Sequence, residues 1–199
     1  LQTFNIKRWG EGYFNISESG HLIVDSSEDK SPIDLHEVVK LARQSGLSLP
    51  LLARIPEILH SRVDRLCRAF DSALQASAAS ACYTPIYPIK VNQNRNGVEE
   101  LLKSETARLG LEAGSKPELL TVLALSPAGG TIICNGYQDR EYIRLALAGC
   151  GMGLRVYLVI EKLSELDLII KESQRSNIKP LIGIRLKLAS IASGKWQNS

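Results

Sequence analysis

The sequence predicts an α/β protein whose larger part is a partial (β/α)8 TIM-type barrel, preceded by an N-terminal β-hairpin segment of a second β-rich domain. Three observations carry this. Five short apolar runs, "PIYPIKVN", "RLGLEAG", "GTIICNG", "RVYLVIEK" and "PLIGIRL", follow one another, and each of the first four leads into ten to fifteen residues of helical pattern. Taking Lys90, Glu112, Asn135, Glu161 and Arg185 as the polar residue at or near each run's end, the intervals are 22, 23, 26 and 24 residues. That is the length of a strand, a turn, a three-turn helix and a return loop. The turn after the first run, "NQNRNG", carries neither the GxGxxG nor the Walker pattern with which an open doubly wound sheet announces a nucleotide site. A closed barrel is therefore favoured over an open sheet, and of its eight strands about five are present.

The elements follow in order. "YFNISESGHLIV" alternates apolar and polar residues around Glu18-Ser19-Gly20 and predicts a hairpin. "SPIDLHEVVKLARQSG" predicts a helix opened by Ser31-Pro32 and closed at Gly46. Leu51 to Ile55 reads as a short strand before Pro56, and Glu57 to about Ala79 as a long amphipathic helix. Ser115 and Glu118 form an S-x-x-E capping box for the helix of "SKPELLTVLAL". Gly149 ends the helix of "DREYIRLALAG", and Leu163, Leu166, Ile169 and Ile170 form the buried side of the helix in "EKLSELDLIIKESQRSN". Residues 1–55 are assigned to the N-terminal segment and 56–199 to the barrel. Successive βα units with nearly continuous apolar strands mean a parallel sheet covered by helices.

Of 199 residues, 44% are hydrophobic and 23% charged, which suits a packed soluble core, and the net charge of +3 is spread along the chain without a nucleic-acid patch. No long apolar segment suggests a membrane span, and the first residues lack the apolar core of a secretory signal. Leu1 in place of an initiating Met leaves room for residues upstream, including a removed organelle transit peptide. Cys67, Cys82, Cys134 and Cys150 show no CxxC spacing and are expected to be reduced and mostly buried, which points to the cytoplasm. His21, His36 and His60 lack ligand spacing and give a zinc site little support.

Within "IYPIKVN", strand alternation puts Ile86, Pro88, Lys90 and Asn92 on one face, with Lys90 and Asn92 pointing inward at the C-terminal end, where barrel enzymes place catalytic groups. Glu112, Asn135 and Arg185 occupy equivalent positions, so an amine, a carboxylate, an amide and a guanidinium would converge on one rim. Such a lysine suits Schiff-base chemistry: partial burial and a nearby Arg185 favour the neutral nucleophilic amine, while Glu112 opposes them. Each residue also has a plainer reading. Lys90 could be a solvated surface charge, Glu112 and Arg185 members of structural ion pairs, and Asn135, before Gly136, a turn residue.

The stretches "YPIKVNQ", "GLEAGSKPELL", "ICNGYQDREYIRLAL", "VYLVIEKLSELD" and "SGKWQNS" closely resemble the biosynthetic arginine decarboxylases, barrel-type pyridoxal-phosphate enzymes of the alanine-racemase-like class, from about Trp9 to Ser199. The resemblance implies that Lys90 carries pyridoxal 5'-phosphate covalently, that Glu112 sits beside the cofactor ring, and that Arg185 neighbours it. Asn135 transfers more weakly, as a rim residue of unknown role. It further implies decarboxylation of L-arginine to agmatine and carbon dioxide in polyamine biosynthesis, magnesium as an additional cofactor, and a homo-oligomer with sites between subunits. A decarboxylase of the same class acting on diaminopimelate or ornithine, and a truncated, non-catalytic homologue that binds other subunits, are the alternatives. The family's later strands, its glycine-rich phosphate-binding loop and the acidic partner of the pyridine nitrogen have no counterpart in these 199 residues. The chain alone is therefore expected to be poorly stable and inactive, with open sheet edges.

Overall fold

In the computed structural model, which describes residues 3–25, 31–103 and 108–186, the chain divides into one compact unit of Leu1–Tyr83 with Lys103–Ala107 and another of Thr84–Leu102 with Arg108–Ser199. The first unit opens with a single helical turn, α1 (Ile6–Trp9), and the expected hairpin, β1 (Phe14–Ile16) and β2 (Leu22–Val24), paired antiparallel with Asn15 opposite Ile23. Gly20 makes the turn at φ +83°, a conformation that costs a residue without a Cβ little.

Two sequence expectations fail in this unit. The segment after Ser31-Pro32 first adds a third strand, β3 (Ile33–Asp34), to the hairpin, and only then begins α2 (Leu35–Gln44). The cap explains the shift. The Asp34 carboxylate accepts from the amides of His36 and Glu37 at 2.8 and 3.3 Å, satisfying donors that the first turn leaves open. His21 Nδ1 lies 2.7 Å from the same carboxylate and holds it below its ordinary value. Leu51 to Ile55 forms no strand: it lies between Pro50 and Pro56, finds no strand partner among the described residues, and leaves Leu52 exposed. The long helix, α3 (Pro56–Ala76), follows with Pro56 in its first turn and Cys67 buried. Tyr13 joins it to the hairpin, its hydroxyl 2.8 Å from Ser61 and its ring under Arg62, which also pairs with Glu11.

The second unit alternates strand and helix: β4 (Ile86–Pro88), α4 (Arg95–Leu102), β5 (Gly110–Ala113), α5 (Lys116–Leu125), β6 (Thr131–Cys134), α6 (Arg140–Gly151), β7 (Arg155–Ile160), α7 (Leu163–Ser176) and β8 (Leu181–Ile184). All four pairings are parallel and the strand order is the chain order. A doubly wound sheet reverses direction at a central switch point, whereas a barrel winds one way. The sheet is thus part of a barrel-type fold, as the spacing of the apolar runs predicts.

Its two faces differ. Leu111, Ala113, Ile132, Cys134, Val156 and Leu158 are fully buried against Leu119 and Val122 of α5, Ile143 and Leu147 of α6, and Ile169 of α7. The alternate residues Glu112, Ile133, Tyr157 and Val159 are only half-buried. Pro88, Glu112, Ile133, Tyr157 and Leu181 lie on one register level across all five strands. That face is the inward side of the barrel. At the far edge β8 exposes Leu181, Ile182 and Ile184.

The helix ends and buried sides also depart from expectation. Glu118 does not complete the box with Ser115; its carboxylate accepts instead from the Gly114 amide at 2.7 Å, and Ser115 makes no side-chain cap. Gly149 does not terminate α6. The stop comes at Gly153, φ +86°, where the Leu154 amide bonds back to the Gly149 carbonyl at 3.1 Å. On α7, Leu163 and Ile170 are exposed, whereas Glu165 and Glu172 are buried. Each buried acid has partners. Glu165 accepts from the amides of Glu161, Lys162 and Gln138 at 2.8, 3.0 and 3.3 Å, and Glu172 takes Arg144 Nε at 2.8 Å with Arg140 Nε at 3.4 Å. The two arginines hold the Glu172 carboxyl below the ordinary carboxylate range.

Gly149 instead lets α6 approach α5 and β7, since a Cβ there would sit 2.6 Å from Leu123 Cδ2 and 3.2 Å from Val156 Cγ2. Gly149→Ala should destabilise the complete gene product by about 1–3 kcal/mol in denaturant melts, overpacking outweighing the better helix propensity of alanine. An unchanged or raised midpoint would show that the helix pair yields freely.

Candidate active site

Proline shapes the first strand end. Pro88 has no amide to continue a ladder, so β4 stops there and Ile89–Val91 turns into one 3-10 turn, with Ile89 driven into the core. Lys90 therefore leaves from a turn rather than from a strand. Its side chain is 67% exposed, in place of the partial burial that the alternation suggests, and Nζ stands 3.7 Å from Glu112 Oε1. Glu112 is the more enclosed partner, at 18%. Asn92 takes part in the turn that follows. Its Oδ1 accepts from the Asn94 amide at 3.0 Å and its carbonyl from the Tyr87 hydroxyl at 3.1 Å, while Asn94 Oδ1 takes the Gly97 amide at 3.1 Å at the start of α4.

The other rim residues follow from strand alternation. Asn135 continues β6, its amide bonded to the Ala113 carbonyl at 3.1 Å, one residue past Glu112. Arg185 continues β8 with its amide on the Ile160 carbonyl at 2.9 Å, and its guanidinium pairs with Glu161 at 3.5 Å. The four predicted residues thus lie along one end of the sheet, with two ion pairs among them and Glu161: Lys90 with Glu112, and Arg185 with Glu161. An exposed or half-exposed ion pair of this kind contributes at most about 1 kcal/mol to stability.

Close backbone packing holds the rim together. Gly136 follows Asn135, and a Cβ on it would meet the Gly114 carbonyl oxygen at 2.3 Å, so the loops after β5 and β6 touch backbone to backbone. Asp139 caps α6 through the Tyr142 amide at 2.9 Å and takes Lys116 Nζ at 2.6 Å, which holds its carboxyl below the ordinary range. Two buried polar residues give no signal in the sequence. Gln138 Nε2 bridges the carbonyls of Val159 at 2.7 Å and Cys134 at 3.3 Å, joining β6 to β7, and Tyr142 donates its hydroxyl to the Ala113 carbonyl at 2.7 Å. In the sequence, Gln138 sits in an ordinary loop and Tyr142 looks like any core aromatic.

A primary amine stands beside a carboxylate at the C-terminal ends of parallel strands, with an amide and a guanidinium along the same rim, and a primary amine is a group that can condense with a carbonyl. Residues 60–199 match the family described as "Pyridoxal-dependent decarboxylase, pyridoxal binding domain". The chain is 50% identical to the biosynthetic arginine decarboxylase of Alkalilimnicola ehrlichii, over 100% of its own length and 32% of that protein. It is 52% identical to the one from Pseudomonas putida, over 99% and 31%. The crystal structure of the biosynthetic arginine decarboxylase from Campylobacter jejuni superposes with a TM-score of 0.84 at 32% identity, over 95% of this chain and 32% of that one. The chain belongs to the pyridoxal-dependent decarboxylases, with residues 60–199 matching their pyridoxal-binding domain, and it spans about a third of the length of the curated relatives it matches.

The cysteines are graded by burial. Cys67 and Cys134 are buried, Cys150 half-buried and Cys82 exposed, and burial pushes the Cys134 thiol up to about 12. A thiol raised in the fold from its ordinary 9.0 contributes stability in full below that value and loses it as pH climbs from there towards about 12. Alkylation of the native protein near pH 8 should therefore label Cys82 and spare Cys134, as read by peptide mass spectrometry, with melts falling above about pH 9. Equal labelling of the two would contradict the packing described around β6.

Proposed function

We propose that this chain forms part of a pyridoxal-phosphate-dependent L-arginine decarboxylase, a carboxy-lyase that yields agmatine and carbon dioxide for polyamine synthesis. The observation that carries the proposal is Lys90 Nζ at 3.7 Å from Glu112 Oε1, at the C-terminal rim of a parallel sheet in a pyridoxal-binding domain. The donor set fits the cofactor: Lys90 offers an accessible amine for the cofactor's aldehyde, Glu112 a carboxylate beside it, and Arg185 and Asn135 hydrogen-bond donors on the same rim. When bound, pyridoxal phosphate supplies an electron sink for the electron pair left as the substrate's carboxylate departs.

This chain's own residues bind and orient. Lys90 attaches the cofactor, and Glu112, 3.7 Å from its nitrogen, attracts the lysine towards the rim as an ion-pair partner. Arg185, steadied by Glu161, places a positive charge at the mouth, where it attracts an anionic group of substrate or cofactor. The choice of arginine rests on the names of the relatives from Alkalilimnicola ehrlichii and Pseudomonas putida. A homo-oligomer in the cytoplasm is part of the same proposal, and among the described residues no helix is long and apolar enough to cross a membrane. Magnesium rests on the family resemblance alone; among the described residues there is no group of three or more His, Cys, Asp or Glu that could hold a metal ion. No step is assigned to it.

In the complete gene product, Lys90→Ala should abolish both the visible absorption band of the bound cofactor and agmatine formation, and arginine should outcompete ornithine and diaminopimelate. A band that survives Lys90→Ala would mean that another lysine holds the cofactor. The 199-residue chain expressed by itself should show no turnover, since five parallel strands leave the edges at β4 and β8 open among the described residues. Steady agmatine production by it would overturn that expectation.

A further inference from the structure

Tyr142 is 1% exposed and stands in the first turn of α6, where its amide is fixed by the Asp139 carboxylate. From there its hydroxyl donates to the carbonyl of Ala113, at the end of β5, at 2.7 Å. The same carbonyl accepts the Asn135 amide at 3.1 Å. Both of its acceptor positions are therefore filled, and one oxygen ties together the ends of β5 and β6 and the start of α6. Ala113 follows Glu112 directly. With the Ala113 carbonyl held and its methyl group packed into the helix-side core, alternation puts Glu112 on the opposite face, where its carboxylate stands 3.7 Å from Lys90 Nζ. A ring present only to fill the core needs no hydroxyl, since phenylalanine has the same outline without a polar atom to desolvate. Burial also raises the phenol's affinity for its proton, so it stays a neutral donor.

We infer that Tyr142 is a positioning residue: through the Ala113 carbonyl it holds Glu112 at the distance at which the carboxylate meets Lys90. This rests on the proposed role of Lys90 as the cofactor's attachment point. The hydroxyl is buried on the Ala113 carbonyl and acts on the lysine through the strand end.

The test uses the complete gene product with pyridoxal phosphate and arginine. Tyr142→Phe should lower kcat by about tenfold while KM moves by less than about twofold, as expected when a supporting hydrogen bond rather than a binding contact is lost. The pH at which the cofactor's visible band changes should shift downwards, because a carboxylate held beside the lysine nitrogen favours its protonated form. In a Glu112→Gln background Tyr142→Phe should add no further shift. Wild-type kcat and band transition in Tyr142→Phe, or a full additional shift in the Glu112→Gln background, would overturn the inference alone. A wild-type protein without a band, or a band that persists in Lys90→Ala, would overturn it together with the proposed function. Should Tyr142→Phe not accumulate, 4-aminophenylalanine and 4-methylphenylalanine at position 142 share a shape and differ in the donor. The first should retain kcat within about threefold of wild type and the second should show the loss; equal rates would overturn the inference.

Discussion

Everything at the rim depends on the burial of one face of the five-stranded sheet. Leu111, Ala113, Ile132, Cys134, Val156 and Leu158 are fully enclosed by α5, α6 and α7, and this fixes the register of β5, β6 and β7. A slip of one residue would drive Glu112 and Tyr157 into that apolar layer, at the cost of burying a carboxylate without a partner. Alternation then does the rest: Glu112, Asn135, Glu161 and Arg185 take the opposite face, and the parallel direction brings their strand ends to one side. The site is a consequence of the core on the other side of the sheet.

The repeat made the second unit readable from sequence, because strand and helix differ in period and recur at a nearly constant interval. All five runs from Ile86 to Ile184 became parallel strands in chain order. The failures lie where a single tertiary contact outweighs a local signal. Asp34 caps α2 because His21 and the hairpin hold it there, so the helix begins later than Ser31-Pro32 suggests. Gly149 looks like a helix stop, yet it is a point of close approach between α6 and its neighbours. Leu51 to Ile55 has the composition of a strand and no strand to pair with among the described residues. The motif "SGKWQNS" lies outside the described residues.

That the candidate residues share one rim was legible in the sequence, and their geometry less so. Lys90 and Glu112 stand together, but Pro88 moved the lysine from a strand into an exposed turn, which no alternation rule foresees. Arg185 found Glu161, a residue counted in the strand spacing and given no role. Gln138 and Tyr142 were silent because their polar atoms bond to backbone carbonyls on other strands, and such pairings exist only once the sheet is assembled. What the strand ends share is rigidity: glycine against glycine at Gly114 and Gly136, and carbonyls held by buried side chains.

The most direct measurement is to reduce the cofactor-loaded complete gene product with borohydride, digest it, and find the phosphopyridoxyl group by peptide mass spectrometry. Attachment of the cofactor at the turn after β4 predicts the label on the peptide containing Lys90, and only there. A label on any other lysine, or none, would contradict the assignment on which the site is built.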